Sequence, residues 1–164
     1  MPQARLLLLM RHAEAADFAP GLDDSDRPLT RRGQDQARAV GAALAEHGVR
    51  IDQVLCSSAA RTRQTLDLLG VQAPVTFTSE LYNAGSQAIR EEIGLLADSV
   101  SVALVLGHAP GIPTLAHDLS DERSDPELRE RIARGYPTST LVAIELDGNW
   151  NELRSGKLIW AAQG

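Results

Sequence analysis

Two apolar runs, residues 6–10 (LLLLM) and 102–106 (VALVL), show no alternation, while apolar positions elsewhere recur mostly at helical spacing. An unbroken run of this length suits a strand buried on both faces of a parallel sheet. Thr30 is placed to cap a helix in which Ala37, Val40 and Leu44 share a face, ending at His47 and Gly48. Residues 54–56 predict a short strand running into Ser57 and Ser58, either of which can cap the helix holding Arg61, Leu66 and Leu69. Residues 75–78 form a weaker strand signal, and Ser86 opens a helix with Ile89, Ile93 and Leu96 on one side. Pro110 and Gly111 start another helix, and Asp125 with Pro126 gives a cap and first turn for one reaching Arg134. Residues 139–146, a turn at Asp147, Gly148 and Asn149, and residues 152–161 read as a closing hairpin at the sheet edge. Alternating strands and helices of this kind predict a three-layer α/β/α sandwich with a mostly parallel central sheet.

Composition narrows the class. A chain of 164 residues with 43% apolar positions predicts one domain over residues 1–164. Its net charge of −6 supplies no positive field for polyanions, so nucleic acid is not an expected partner. The single cysteine, Cys56, excludes an internal disulfide framework and a thiolate-rich zinc site, and suits a reducing cytoplasm. The longest apolar run near the start is too short for a membrane span and too weakly flanked for a signal peptide, so a cytoplasmic protein away from the membrane is expected. A polar loop over residues 15–28 carries Asp17, Asp23, Asp24 and Asp26, which either deter highly anionic small substrates or meet a basic protein surface.

In parallel sheets, ligands bind beyond the carboxyl ends of the strands. Three polar clusters fall there: Arg11 with His12, Ser57 to Arg61, and Gly107 to Gly111 with His108. Arg61 sits in a first helical turn, where backbone N–H groups and the helix dipole already favour an anion. Two arginines and two histidines on one rim suit a tetrahedral dianion, because guanidinium binds phosphate oxygens in a fork. A cysteine nucleophile fits poorly. The arginine of a cysteine-phosphatase loop would fall on Thr62, one residue past Arg61, and the intervening residues contain no glycine. Metal hydrolysis lacks an HExxH motif and a clustered acidic ligand set, so no metal and no cofactor is expected. A histidine nucleophile remains.

The motifs resemble those of the histidine phosphatase superfamily, the phosphoglycerate-mutase-like phosphatases. LLLLMRHAEA is similar to the family's apolar strand ending in RHG, with Ala13 in place of the glycine. The PLT and GxxQA elements appear as Pro28, Leu29, Thr30, Gly33, Gln36 and Ala37. SSxxRTxQT appears as Ser57, Ser58, Arg61, Thr62, Gln64 and Thr65, and the GH motif as Gly107 and His108. Arg27 before Pro28, the short length, and Ser79, Glu80 and Leu81 resemble the small SixA-type phosphohistidine phosphatases more than the mutases. The stretch between Arg61 and His108 is filled by a helix, a strand and a helix, leaving no room for a large lid, and an open site argues for hydrolysis.

This resemblance implies a phosphoglycerate-mutase-like fold and a metal-independent phosphatase in which His12 attacks phosphorus, becomes phosphohistidine and is released by water. Arg11, Arg61 and His108 would hold the equatorial oxygens, Arg27 would add a contact from the loop, and Ser57 is a cap with phosphate contact as a second role. Glu80 lies where larger relatives carry the general acid. It is either that acid or a solvated loop carboxylate, the acid position then falling on Leu81. The implied substrate is phosphohistidine on a protein partner, or alternatively a small phosphomonoester such as a sugar or nucleotide monophosphate.

Overall fold

Neighbouring residues of the first apolar run serve opposite faces of one sheet. In the computed structural model, which describes residues 4–164, strand β1 (Ala4–Arg11) sends Leu7 and Leu9 into a cluster with Ile89, Ile112 and Leu115. Leu8 and Met10 pack on the other side with Val40, Leu44, Leu66 and Leu69. All four strand residues are fully buried, which is why the run has no polar alternation. Burying one such side chain contributes about 1.5–3 kcal/mol.

The remaining strands are β2 (Gln53–Ser57), β3 (Val75–Thr78), β4 (Val102–Gly107), β5 (Thr140–Asp147) and β6 (Lys157–Gln163). They form one sheet in the order β3-β2-β4-β1-β5-β6. The first four in that order run parallel, and β5 and β6 close the sheet antiparallel. Helices α1 (Arg31–Glu46) and α2 (Ala60–Leu69) supply the core residues of one face; α3 (Ser86–Gly94), α4 (Gly111–Leu119) and α5 (Pro126–Arg134) supply those of the other. The architecture is the three-layer α/β/α sandwich of the phosphoglycerate-mutase-like fold. Caps at Thr30 and Asp125 lie where the sequence puts them: Thr30 Oγ1 accepts from Gly33 N, and Asp125 accepts from Glu127 N and Leu128 N.

Two local expectations fail. The N-cap of α2 is Ala59, with no side-chain cap; Ser57 ends β2 instead, and its hydroxyl is used across the sheet. The closing hairpin also lacks a tight turn at 147–149. Its second strand starts at Lys157, after a loop with a single 3₁₀ turn, Trp150–Glu152. Trp150 draws that loop inward: it is 1% exposed, donates Nε1–H to Val100 O at 2.8 Å, and lies under the Arg5 guanidinium. Among the described residues no helix is long and apolar enough to cross a membrane.

Candidate active site

Strands β1 and β4 end together, with Arg11 in register with Gly107. The next residue of each strand is therefore a histidine at the same rim. His12 N donates to Gly107 O at 3.0 Å, and the His12 and His108 rings lie 5.2 Å apart, tilted by 56°. Strand β2, on the far side of β4, brings Ser57 Oγ to 2.8 Å from His108 Nε2. Arg61 enters from the first turn of α2. Three adjacent strand ends and one helix N-terminus thus converge, as the position of ligands in parallel sheets requires.

His12 Nδ1 lies 2.7 Å from the Ala13 carbonyl oxygen. A carbonyl can only accept, so Nδ1 carries the proton and Nε2 keeps a bare lone pair. Burial pushes the His12 pKa down to about 4, opposed by the Ala13 hydrogen bond and reinforced by the charges of Arg61, Arg11 and Arg27. His108 is pushed down to about 3, first by burial, then by His12 and Arg61, with Asp24 opposing. Both imidazoles are neutral at pH 7.

The cations are held from opposite sides. Arg11, half-buried, donates to Tyr136 O at 3.0 Å. Tyr136 OH in turn donates to Leu9 O at 2.7 Å, and Ser139 N donates to the carbonyls of Arg11 and His12 at 3.2 and 2.9 Å. Arg61, 5% exposed, donates through one terminal nitrogen to Asp24 O at 2.8 Å and through the other to Asp24 Oδ2 at 3.2 Å. Five buried side-chain polar atoms among the described residues lack a partner, and three of them are Arg11 Nε, Arg61 Nε and His108 Nδ1. Unpaired buried polar groups are costly and rare, so their concentration on these three residues marks a binding site.

Polar motif residues brace the backbone around this rim. Ala13 N donates to Thr65 Oγ1 at 3.0 Å, Glu14 N to Gln36 Oε1 at 2.9 Å, and Leu29 N to Gln64 Oε1 at 2.8 Å. A Cβ on Gly33 would stand 2.0 Å from Glu14 O, so only glycine lets α1 approach so closely. Ala13 is tolerated in place of glycine because it is not among the non-glycine residues with positive φ, which among the described residues are Asn83 and Ser139.

Arg27 is turned into its own loop, donating Nε–H to Asp24 Oδ1 at 3.0 Å and an N–H to Ala16 O at 2.7 Å; it reaches His12 through its charge. Glu80 is exposed, in the turn Ser79–Leu81 after β3, and its side chain has no hydrogen bond or ion pair among the described residues. Leu81 packs into the core. The side chain that does reach the rim from this turn is Tyr82. Its hydroxyl donates to Asp24 Oδ2, its ring meets the His108 ring edge-on at 5.6 Å, and the Arg61 guanidinium lies 5.8 Å from its centroid. The sequence reading assigns Asp24 only to an acidic loop facing substrate or a basic surface, not to Arg61, and passes over Tyr82. The signals present were an aspartate three residues before Arg27 and an aromatic two residues after Glu80.

Cys56 is core: it is fully buried, and burial pushes its thiol up to about 12. Thr62 bonds the carbonyls of Ser57 and Ala59, a packing role. No group of three or more His, Cys, Asp or Glu among the described residues is placed to hold a metal ion.

Comparison with known proteins places this geometry. Residues 7–85 match the family model of the histidine phosphatase superfamily (branch 1). An uncharacterised protein of Mycobacterium tuberculosis is 38% identical over 148 residues, covering 90% of this chain and 93% of that one. The phosphohistidine phosphatase SixA of Escherichia coli is 29% identical over 151 residues, 88% of each chain. A solved structure from Nakamurella multipartitia, provisionally assigned as a phosphohistidine phosphatase SixA, superimposes with a TM-score of 0.88 at 35% identity, covering 99% of this chain and 98% of that one. With its RH strand end, its second arginine and its GH histidine gathered on one rim, the chain belongs to the histidine phosphatase superfamily and is a hydrolase resembling SixA.

Proposed function

We infer that this enzyme hydrolyses phosphohistidine on a protein partner, with His12 as nucleophile. The observation that carries this reading is the bare, neutral Nε2 of His12 beside three residues with unpaired buried polar atoms. His12 Nε2 attacks phosphorus while its proton stays on Nδ1, held by Ala13 O. Arg11, Arg61 and His108 take the equatorial oxygens and stabilise their charge through transfer. Ser57 orients His108 through its 2.8 Å contact, and Arg27 acts through its field. Water then attacks the phosphorylated His12, releasing inorganic phosphate.

What surrounds the rim supports a protein substrate. The chain between Arg61 and His108 is spent on α2, β3 and α3, with no inserted domain to close over a small molecule. A side chain presented by a partner can enter. Imidazole leaves readily from phosphorus, so this substrate makes little demand on Glu80, whose acid role is confined to alkyl esters. The setting is the cytoplasm, in keeping with a lone buried cysteine.

The test is a panel of a phosphohistidine-bearing protein, a sugar phosphate and a nucleotide monophosphate, with the phosphoenzyme trapped in parallel. The reading expects the highest kcat/KM on phosphohistidine and a phosphoenzyme stable to alkali and labile to acid. Preference for the monophosphates would move the assignment to a small-molecule phosphatase, and an acid-stable phosphoenzyme would remove His12 as the nucleophile.

A further inference from the structure

The functional assignment leaves Asp24 without a role, although it binds both terminal nitrogens of Arg61. Its position relative to the reaction axis gives it one. His12 is 8% exposed and forms the floor of the site. In-line attack from the floor sends the leaving group the opposite way, toward solvent. Arg61 lies deep, with its side chain 6% exposed, whereas the Asp24 carboxylate paired with it is 46% exposed. The carboxylate is therefore the solvent-exposed partner of the guanidinium assigned to phosphate, open to a group that leaves toward solvent.

A carboxylate there treats the two possible leaving groups in opposite ways. An alkyl ester departs with negative charge growing on oxygen, which a nearby anion opposes. A phosphorylated imidazole must carry a proton on its other ring nitrogen when the P–N bond breaks; otherwise it would leave as an imidazolide anion. A carboxylate is the natural acceptor for that N–H.

We propose that Asp24 is the specificity-determining residue that selects an imidazole leaving group, by accepting a hydrogen bond from the protonated ring of the substrate. The proposal rests on the functional reading above. In the step, a bond forms between His12 Nε2 and phosphorus, the substrate P–N bond breaks, and its electron pair returns to that nitrogen. The proton on the other ring nitrogen stays there, facing Asp24, so the substrate histidine leaves neutral. Water later adds its oxygen to phosphorus as the bond to His12 breaks and its pair returns to Nε2, and the water proton stays with the product on a phosphate oxygen, so that dihydrogen phosphate leaves and His12 is neutral again.

The groups facing Asp24 keep it charged for this task. Arg61 comes from α2, Arg27 from the same loop, and Tyr82, whose hydroxyl donates to Oδ2, from beyond the turn after β3. His108, at the end of β4, lies within its field. Tyr82, Arg61 and Arg27 together hold the carboxyl at about 2.

The experiment compares wild type with Asp24→Asn on two synthetic peptides of one sequence, one bearing phosphohistidine and the other phosphoserine, from neutral to alkaline pH. The expected result is a fall of about tenfold or more in kcat/KM on phosphohistidine, the scale of a hydrogen bond to a charged group, while phosphoserine holds or rises. The alkaline limb on phosphohistidine should also move to lower pH, because the ring proton loses its acceptor. Asp24→Glu, which keeps the charge, should keep much of the preference. Equal slowing on both peptides would mean that Asp24 only orients Arg61, and equal acceleration that it only obstructs Arg61; either overturns the proposal, as does an unmoved alkaline limb. Wild-type enzyme inactive on phosphohistidine would take down the functional reading and this inference with it, whereas wild-type turnover with equal slowing removes only the role of Asp24.

Discussion

The imidazoles of His12 and His108 lie 5.2 Å apart and both are uncharged, since burial and the neighbouring arginines push them to about 4 and about 3. Two cations 5.2 Å apart in such a site would repel strongly, so neutrality is the condition under which the pair can exist.

It follows that the acid limb of kcat/KM should lie near pH 4, well below an ordinary histidine, on a substrate that survives acid, such as an aryl phosphate. Stability should follow the same groups. Between about pH 6.5 and 4 the unfolded chain binds protons at these histidines and the folded chain does not, so stability falls as pH drops through that window. Urea midpoints measured across it check the sign; a midpoint that rises on acidification would show that the pair is protonated in the fold.

Arg61→Ala should weaken vanadate inhibition and lower kcat together, by about 10² to 10³ in rate if its fork serves the transferring oxygens. Activity should persist in a chelator. Unchanged kinetics would reduce Arg61 to a partner of Asp24, and loss in EDTA restored by a divalent ion would require a metal in the reaction.

Glu80→Gln separates the two readings of that exposed carboxylate. As an acid for poor leaving groups, its loss should slow an alkyl phosphate far more than phosphohistidine or an aryl phosphate, since general acid help is typically worth about 10² to 10⁴. Equal slowing on all three substrates would indicate that Glu80 helps to bind rather than to protonate.

Thr65→Val removes the acceptor for Ala13 N and the bond to Arg61 O at 2.7 Å, both buried. The orphaned N–H should cost about 1–3 kcal/mol of stability, read from denaturant midpoints. Activity should fall as well, because Ala13 carries the carbonyl that fixes the His12 tautomer; full activity at reduced stability would confine Thr65 to a structural role.

The sheet and the four rim residues were legible because the cues are local. Runs such as LLLLM and VALVL announce strands buried on two faces, and Arg11, His12 and His108 follow them directly. Contacts made across the chain left no such trace. Tyr82 and Asp24 meet over 58 residues, and neither sits in a periodic pattern. Ser57 was misread as a helix cap because a serine before a helix has two uses, and the nearby His108 claimed the hydroxyl. The late start of β6 was hidden likewise, since only the burial of Trp150 diverts the chain after β5.

The end of β1 is fastened from far along the chain: Tyr136 receives the Arg11 guanidinium and grips Leu9, and Ser139 holds the carbonyls of Arg11 and His12. The residues proposed to do the chemistry, Arg11, His12, Arg61 and His108, all precede these anchors. A clipped or unfinished chain ending before Tyr136 would therefore carry all four of these side chains and lack the hydrogen bonds that hold Arg11 and His12. The rim end of β1 is fully fastened only once the segment from Tyr136 onward is in place, and the proposed role of His12 depends on residues placed far behind it in the chain.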